Sequence, residues 1–405
     1  MTEAEKHPVP DFDPLASDAP DDALATYARL RAQCPVAHTD AYGGYWALTR
    51  YADVAAAAAD SRTFISSVRA VVPSDPRGLR RPPLNFDAPA HTPYRKALDR
   101  TLQRSRIAKL EPRLREHAAR ELAPMLARGS GDVAQEYGAR FPAWLTTEWL
   151  NLPDDVAPQL ADTATAWVRA WRRMDGPVVN EMSERMYGIA RDLVSDRRRS
   201  PLPVEDDPAS SLLSERLDGE PLDEEHLVGA LRQSLVVGMV APPILLGSIC
   251  VHLSRDQDLQ ARLRAHPELL PDALEEFLRL YTPYRGFART VAHDVELHGR
   301  RIRPEEPVTL VYASANRDAE VFPDPDVFDL ARPNIATHLG FGRGRHRCAG
   351  MPLARLGLLI ALEELLARTA GFELDGPLEG ARMPEIGYVS VPLRFEPLVE
   401  RDPAR

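Results

Sequence analysis

The sequence predicts a mainly α fold with small β-sheets, organised as a single large domain. Three observations carry this. Apolar residues recur at helical spacing through residues 106–199, 222–253, 269–281 and 351–370. Segments with strand character are short and few, at 43–48, 291–299 and 308–312. No linker-like stretch divides the chain, although 405 residues would by length alone admit two or three domains.

Hydrophobic residues make up 44% of the sequence, enough to bury a large core together with a cofactor. The net charge of −10, with the charges interleaved, argues against general nucleic-acid binding. Residues 1–22 are acidic and proline-rich and are expected to be flexible, with the folded domain running over 23–405. They contain neither a secretory apolar core nor a membrane-spanning run, so a soluble, cytoplasmic protein without a membrane anchor is expected. Three scattered cysteines, Cys34, Cys250 and Cys348, make neither a disulfide framework nor a zinc spacing.

Taken in order, residues 23–34 read as an amphipathic helix, 43–48 as a strand or hairpin and 51–60 as an alanine-rich helix. Residues 62–86 carry four prolines and form an irregular segment, long enough to be functional or disordered. A proline-punctuated helix start follows at 87–95, where His91 and Arg95, four apart, share a face and can reach one anion. The helical pattern of 106–199 breaks near Gly129–Asp132, Pro153 and Asp175–Pro177, and Trp167 and Trp171 precede the third break at core-like spacing.

The longest apolar helical signal, 222–253, has Ala241-Pro242-Pro243 in its middle. Pro242 removes a backbone donor and crowds the carbonyl of Gly238, so a kink is expected from Gly238 to Pro243 with freed carbonyls facing a cavity. Glu276 and Arg279 on the next helix, at i, i+3, read as an ordinary surface pair from spacing alone. Last comes Phe341-Gly342-Arg343-Gly344-Arg345-His346-Arg347-Cys348-Ala349-Gly350, immediately before the helical run that begins at Met351. Nearby cations, glycine N–H groups and a helix start would all stabilise a thiolate, so Cys348 is expected to be an anion; the alternative is a structural cysteine.

That loop matches Phe-Gly-x-Gly-x-(His/Arg)-x-Cys-x-Gly at every fixed position and resembles the haem-binding loop of the cytochrome P450 family. The resemblance runs from about Ala23 to Pro397. It implies haem b, iron protoporphyrin IX, with Cys348 as axial ligand, and Phe341, Gly342, Gly344 and Gly350 shaping the loop. His91, Arg95, Arg289 and His346 would hold the haem propionates. Glu276, Arg279 and Arg332 would form a buried structural cluster. Candidate substrate-pocket residues are Val68, Val71, Val72, Trp171, Val237, Phe287 and Val389.

The resemblance further implies oxidation of a small organic substrate by O2, with electrons from a ferredoxin and its reductase, since the chain carries no flavin, nicotinamide or iron–sulfur fingerprint. Arg100, Arg104, Arg106, Lys109, Arg343, Arg345 and Arg347 would form the docking face. One departure affects the chemistry. The family's acid–alcohol pair on the central helix is replaced by Ala241 and Pro242, beside Gly238 in the oxygen-side groove, and neither relays a proton. Three accounts are open: a substrate polar group with ordered water completes the relay, peroxide is the oxidant, or the reaction is an oxidative coupling or desaturation. A non-catalytic haem protein that binds a ligand is the rival class.

Overall fold

The computed structural model describes residues 9–73 and 80–398. Helix α1 (Pro20–Gln33) begins three residues before the expected start, so the boundary drawn at residue 22 falls inside it. The segment before it is tied down where it is described. Asp11 exchanges hydrogen bonds with the His38 backbone at 2.7 and 2.8 Å, and Phe12 is buried. Helices α2 (Tyr51–Ala59), α3 (His91–Thr101) and α4 (Arg104–Arg128) follow. On α4, Leu110, Leu114, Ala118 and Leu122 repeat every four residues and are all buried.

The largest core cluster is formed by α4 with α5 (Phe141–Trp149), α6 (Val156–Arg172) and α7 (Gly176–Arg199). After the short α8 (Pro208–Ser214), the central apolar run is two helices, α9 (Glu224–Val237) and α10 (Ala241–Arg255), which also enter this core. The break falls at 238–240, with Pro242 in the opening turn of α10, where a missing N–H costs least. The stretch Glu224–Arg255 is apolar and long enough to cross a membrane, but 72% of its most apolar window is buried inside the protein. Its hydrophobicity is therefore spent on the core.

Helices α11 (Gln257–Ala265), α12 (Leu270–Leu280) and α13 (Tyr312–Ala315) precede α14 (Met351–Ala367), which lies against α4 and α12. A five-stranded sheet runs in the order Val36–Thr39, Tyr45–Leu48, Pro307–Leu310, Phe287–Val291, Phe64–Ile65; only the second and third are parallel. Its two faces alternate residue by residue: Trp46 and Leu48 enter one cluster and Tyr45 and Ala47 another. The strand expected over 291–299 is two, ending at Val291 and resuming at Val295–Leu297.

Glu276, Arg279 and Arg332 are all buried and in contact. Arg279 donates to both Glu276 carboxylate oxygens at 2.8 and 2.7 Å, and Arg332 Nε donates to Oε1 at 3.0 Å. The remaining guanidinium donors take backbone carbonyls of the loop at 323–327 and of Asn316. A surface pair would be worth a few tenths of a kcal/mol; this cluster fixes a long irregular loop to α12 inside the protein. Arg332→Ala leaves a buried carboxylate half satisfied. It is expected to cost about 3–5 kcal/mol, read as a lowered midpoint in urea unfolding followed by circular dichroism.

Candidate functional site

The loop 341–350 is shaped by its own backbone. Gly342 N–H donates to Leu339 at 2.9 Å, Arg347 N–H to Gly344 at 3.1 Å and Cys348 N–H to Phe341 at 2.9 Å. Gly344 has φ +73°, and a Cβ there would lie 2.2 Å from the Ala58 carbonyl at the end of α2. That glycine is therefore needed for packing against α2, whereas a cofactor approach was the expected reason. The Phe341 ring lies under the Arg355 guanidinium at 4.9 Å, and Arg355 in turn makes a two-pronged pair with Glu275 at 2.6 Å. His338 joins the same carboxylate at 3.0 Å, and although burial opposes ionisation, these partners hold Glu275 down at about 2. Glu275, Arg355 and His338 escaped the sequence reading because the Glu276-x-x-Arg279 spacing drew attention to the neighbouring carboxylate.

Cys348 sits two residues before Gly350, the cap of α14. Burial raises its thiol pKa above the ordinary value; the N–H groups of Gly350 and Met351 and the charges of Arg95 and Arg355 pull the other way and are outweighed. This corrects the expectation that loop and helix start alone make it an anion: desolvation wins among the protein's own groups, and deprotonation has to come from a bound metal ion. The side chain nevertheless has exposed surface.

The α9–α10 break faces the start of α14, just beyond the loop. Val237, Gly238 and Pro242 line a cavity of about 90 Å³ together with Gly350, Leu353 and Ala354 at the start of α14. Val237 is 49% exposed although it sits on a core helix, because its side chain faces this cavity. Ala241 and Pro242 are half-buried at the same break.

His91, Arg95, Arg289 and His346 converge beside the loop. The imidazoles of His91 and His346 meet edge to face at 4.7 Å. Both His91 ring nitrogens are buried and make no hydrogen bond among the described residues, while His346 Nε2 lies 3.6 Å from the Asp87 carboxylate. Burial, helped by the positive fields of His346, Arg95 and Arg345, pushes His91 down to about 3. Arg95 binds Asp99 at 2.8 Å and reaches the loop carbonyls of Arg345 and Arg347. Arg289 is buried and hydrogen-bonds Tyr312. A buried imidazole without a partner among guanidiniums is what an anionic group would complete.

The pocket candidates divide. Val71 is half-buried, whereas Val72 is 3% exposed and belongs to the core beneath the five-stranded sheet, so it is removed from the pocket. Val68 is exposed. Trp171 stacks on Trp167 at 5.9 Å, and Phe287 packs on Tyr284 at 5.0 Å. Val389 lies inside the strand Tyr388–Ser390 paired with Glu379–Gly380; nearby, Glu385 is paired by backbone with Tyr284. Glu385 is fully buried and bound by Arg172, whose Nε and Nη2 both lie 2.7 Å from Oε2. Burial raises the Glu385 carboxyl pKa and Arg172 pulls it back. Burial also raises the phenol of Tyr284, and the charges of both Glu385 and Cys348 add to this, which places Tyr284 between them. Sequence reasoning placed Tyr284 in a segment expected to project into the cavity but missed the Arg172–Glu385 pair, since 213 positions separate the two.

Of the proposed docking arginines, Arg106 is buried against Asn151 and Asp206, and Arg100 is engaged with Glu215 and Ser211. Lys109 is paired with Asp206 at 3.2 Å. Arg104, Arg343, Arg345 and Arg347 are exposed.

The cytochrome P450 family model matches residues 248–390. Mycinamicin IV hydroxylase/epoxidase from Micromonospora griseorubida is 33% identical over 361 residues, spanning 86% of this chain and 88% of that protein. Vitamin D(3) 25-hydroxylase from Pseudonocardia autotrophica is 34% identical over 353 residues, covering 84% and 85%. The solved structure of the mixed-function P450 MycG, at 30% identity, superposes with a TM-score of 0.80 over 91% of this chain and 95% of that one. The chain belongs to the cytochrome P450 family and is an oxidoreductase of the monooxygenase class. Proteins of this family bind haem b through a cysteine thiolate. The residues present fit that group: the loop presents an exposed thiol, and beside it the partnerless imidazole of His91 stands among His346, Arg95 and Arg289.

The His91 environment gives a pH dependence. With a folded pKa near 3 and an unfolded pKa near 6.5, the unfolded chain binds more protons between those values, so stability falls as pH drops through that window. Without haem, the unfolding midpoint is expected to decline from about pH 6.5 downwards, and His91→Phe to flatten the decline, measured by denaturant unfolding across a pH series.

Proposed function

We propose that this chain is a haem-thiolate monooxygenase in which Cys348 is the axial ligand and His91, Arg95, Arg289 and His346 receive the haem carboxylates. The observation that carries the reading is the loop 341–350, whose backbone bonds hold an exposed Cys348 just before α14, next to the edge-to-face pair of His91 and His346. When bound, haem supplies the activation of O2 for insertion of oxygen into a small organic substrate. The protein's part is to bind and orient that substrate, exclude bulk water and manage protons.

The substrate space is bounded by Trp171 and Arg172 at the end of α6, by Val237 and Gly238, and by Tyr284 and Phe287. Relatives whose printed names specify mycinamicin IV, linalool and vitamin D(3) support a medium-sized, mostly apolar organic molecule. Electrons come from an external ferredoxin and its reductase. The exposed Arg104, Arg343, Arg345 and Arg347 offer an acidic partner a positive patch despite the net charge of −10.

Proton management departs from the family pattern. Ala241 and Pro242 hold no transferable proton, while the carbonyls freed at the break accept hydrogen bonds, so the relay is completed by water lodged there and by a polar group of the substrate. Two outcomes follow. The purified protein is expected to show a haem Soret band with the thiolate signature in its reduced CO complex and to form product with a surrogate ferredoxin system. Cys348→Ser should abolish that signature, while Cys34→Ser and Cys250→Ser keep it; an unchanged spectrum in Cys348→Ser would remove the assignment. The double variant Ala241→Glu/Pro242→Thr should not raise the fraction of reducing equivalents recovered in product with the true substrate, and a severalfold gain would contradict this account.

A further inference from the structure

Helix α5 enters the cavity between the α9–α10 break and α14 because two positions facing it carry no side chain. A Cβ at Gly238 would lie 2.8 Å from Thr146 Oγ1, and a Cβ at Gly357 on α14 would lie 1.9 Å from Leu145 Cδ2. Two consecutive residues of α5 therefore touch both walls: Leu145 fills the space beside α14, and the Thr146 hydroxyl lies against the backbone at the break. Thr146 belongs to the buried interior and lines the cavity together with Gly238, Pro242 and Gly350.

The chemistry of the break gives that hydroxyl a use. Pro242 and Pro243 have no N–H to offer the carbonyls of Gly238 and Met239, four residues back, so these groups stand as acceptors without their helical donors. The cavity of about 90 Å³ has room for water beside them. A water held by carbonyls alone gives them its protons and receives none. Moving a proton onward needs a neighbour that both accepts and donates, which a hydroxyl does and a carbonyl does not.

Hydroxyls line the cavity at two residues, Thr146 and Ser234, and the indole N–H of Trp149 is already taken by Thr101 at 3.1 Å. Ser234 stands one turn before Gly238 and donates to the Ala230 carbonyl at 2.9 Å. Thr146 donates to the Pro142 carbonyl at 3.1 Å, which leaves its oxygen lone pairs open, and it is Thr146 that meets Gly238 itself. We propose that Thr146 is a positioning residue for proton delivery: its hydroxyl accepts a hydrogen bond from a water seated on the Gly238 carbonyl and, by turning its own O–H from Pro142 to the next water, passes a proton along the break. The oxygen gains one proton as it gives up another, so Thr146 is unchanged after each transfer. This role rests on the haem-thiolate reading of the same site and deepens it, assigning to α5 the alcohol that Ala241 and Pro242 do not supply.

The test compares three variants of the holoprotein: Thr146→Val, which keeps the shape without the hydroxyl, Thr146→Ser, which keeps the hydroxyl, and Thr147→Val, at a buried neighbour outside the cavity lining. The first readout is the C–O stretching band of the reduced CO complex in H2O and in D2O, because bound CO reports hydrogen-bond donors beside it. Wild type, Thr146→Ser and Thr147→Val should show a band that moves on deuteration; in Thr146→Val the band should lie at higher frequency and ignore the solvent. Gly238→Ala, whose added methyl displaces the hydroxyl, provides a second route to the Thr146→Val spectrum should that variant fold poorly. The second readout is turnover with a surrogate ferredoxin system, using whichever of a macrolactone, a monoterpene and a steroid shifts the Soret band most. The share of reducing equivalents recovered in product should fall severalfold in Thr146→Val and return in Thr146→Ser. A wild-type CO complex without the thiolate signature would defeat the haem-thiolate reading. A normal signature with the same band and the same recovery for threonine and valine, or a loss that serine does not restore, would overturn the role of Thr146 alone.

Discussion

Two adjacent carboxylates on α12 set the geometry on which the rest depends. Glu276 turns one way and gathers Arg279 and Arg332, fixing the irregular chain at 323–332. Glu275 turns the other way and gathers Arg355 and His338, fixing α14 and the residues leading into the Cys348 loop. A single helical turn therefore references both the long loop and the thiol to one rigid element. Such a buried network is expensive to assemble and stabilises only when complete, so its value lies in position more than in net free energy.

From that reference the site is built by opposition. The loop delivers Cys348 just before α14, and the α9–α10 break faces the first turns of that helix across the cavity. Neither wall makes the thiol reactive by itself, because desolvation outweighs the helix start and the arginines. Beside the loop the protein leaves both ring nitrogens of His91 buried without a partner among the described residues, a vacancy that an anionic group would complete.

What could be read in the sequence was what is contiguous. The ten-residue loop, the His91–Arg95 spacing and Glu276 with Arg279 are local patterns, and the long helices carry their period openly; all were placed within a few residues. The proline break was legible because proline's covalent geometry acts where it stands. What was missed depends on distant partners. Nothing near Val72 shows that it packs with Phe12 and Tyr45, and nothing near Arg106 shows that Asn151 and Asp206 will bury it. Glu385 was passed over for Val389 because apolar residues were sought in a pocket wall, and the carboxylate's partner lies on α6. The thiol's protonation was misjudged for a related reason: cations and glycines can be counted in a sequence, but burial cannot.

The split central helix has one more consequence. Two helices meeting end to end bring the negative pole of one macrodipole against the positive pole of the next, and at most such junctions free N–H donors and free carbonyls are balanced. Here Pro242 and Pro243 delete two donors from the first turn of α10 while the carbonyls ending α9 remain. The junction is therefore an acceptor-rich patch of bare backbone, polar without any polar side chain. Gly238 and Pro242 line the cavity, so that wall favours visitors that donate hydrogen bonds.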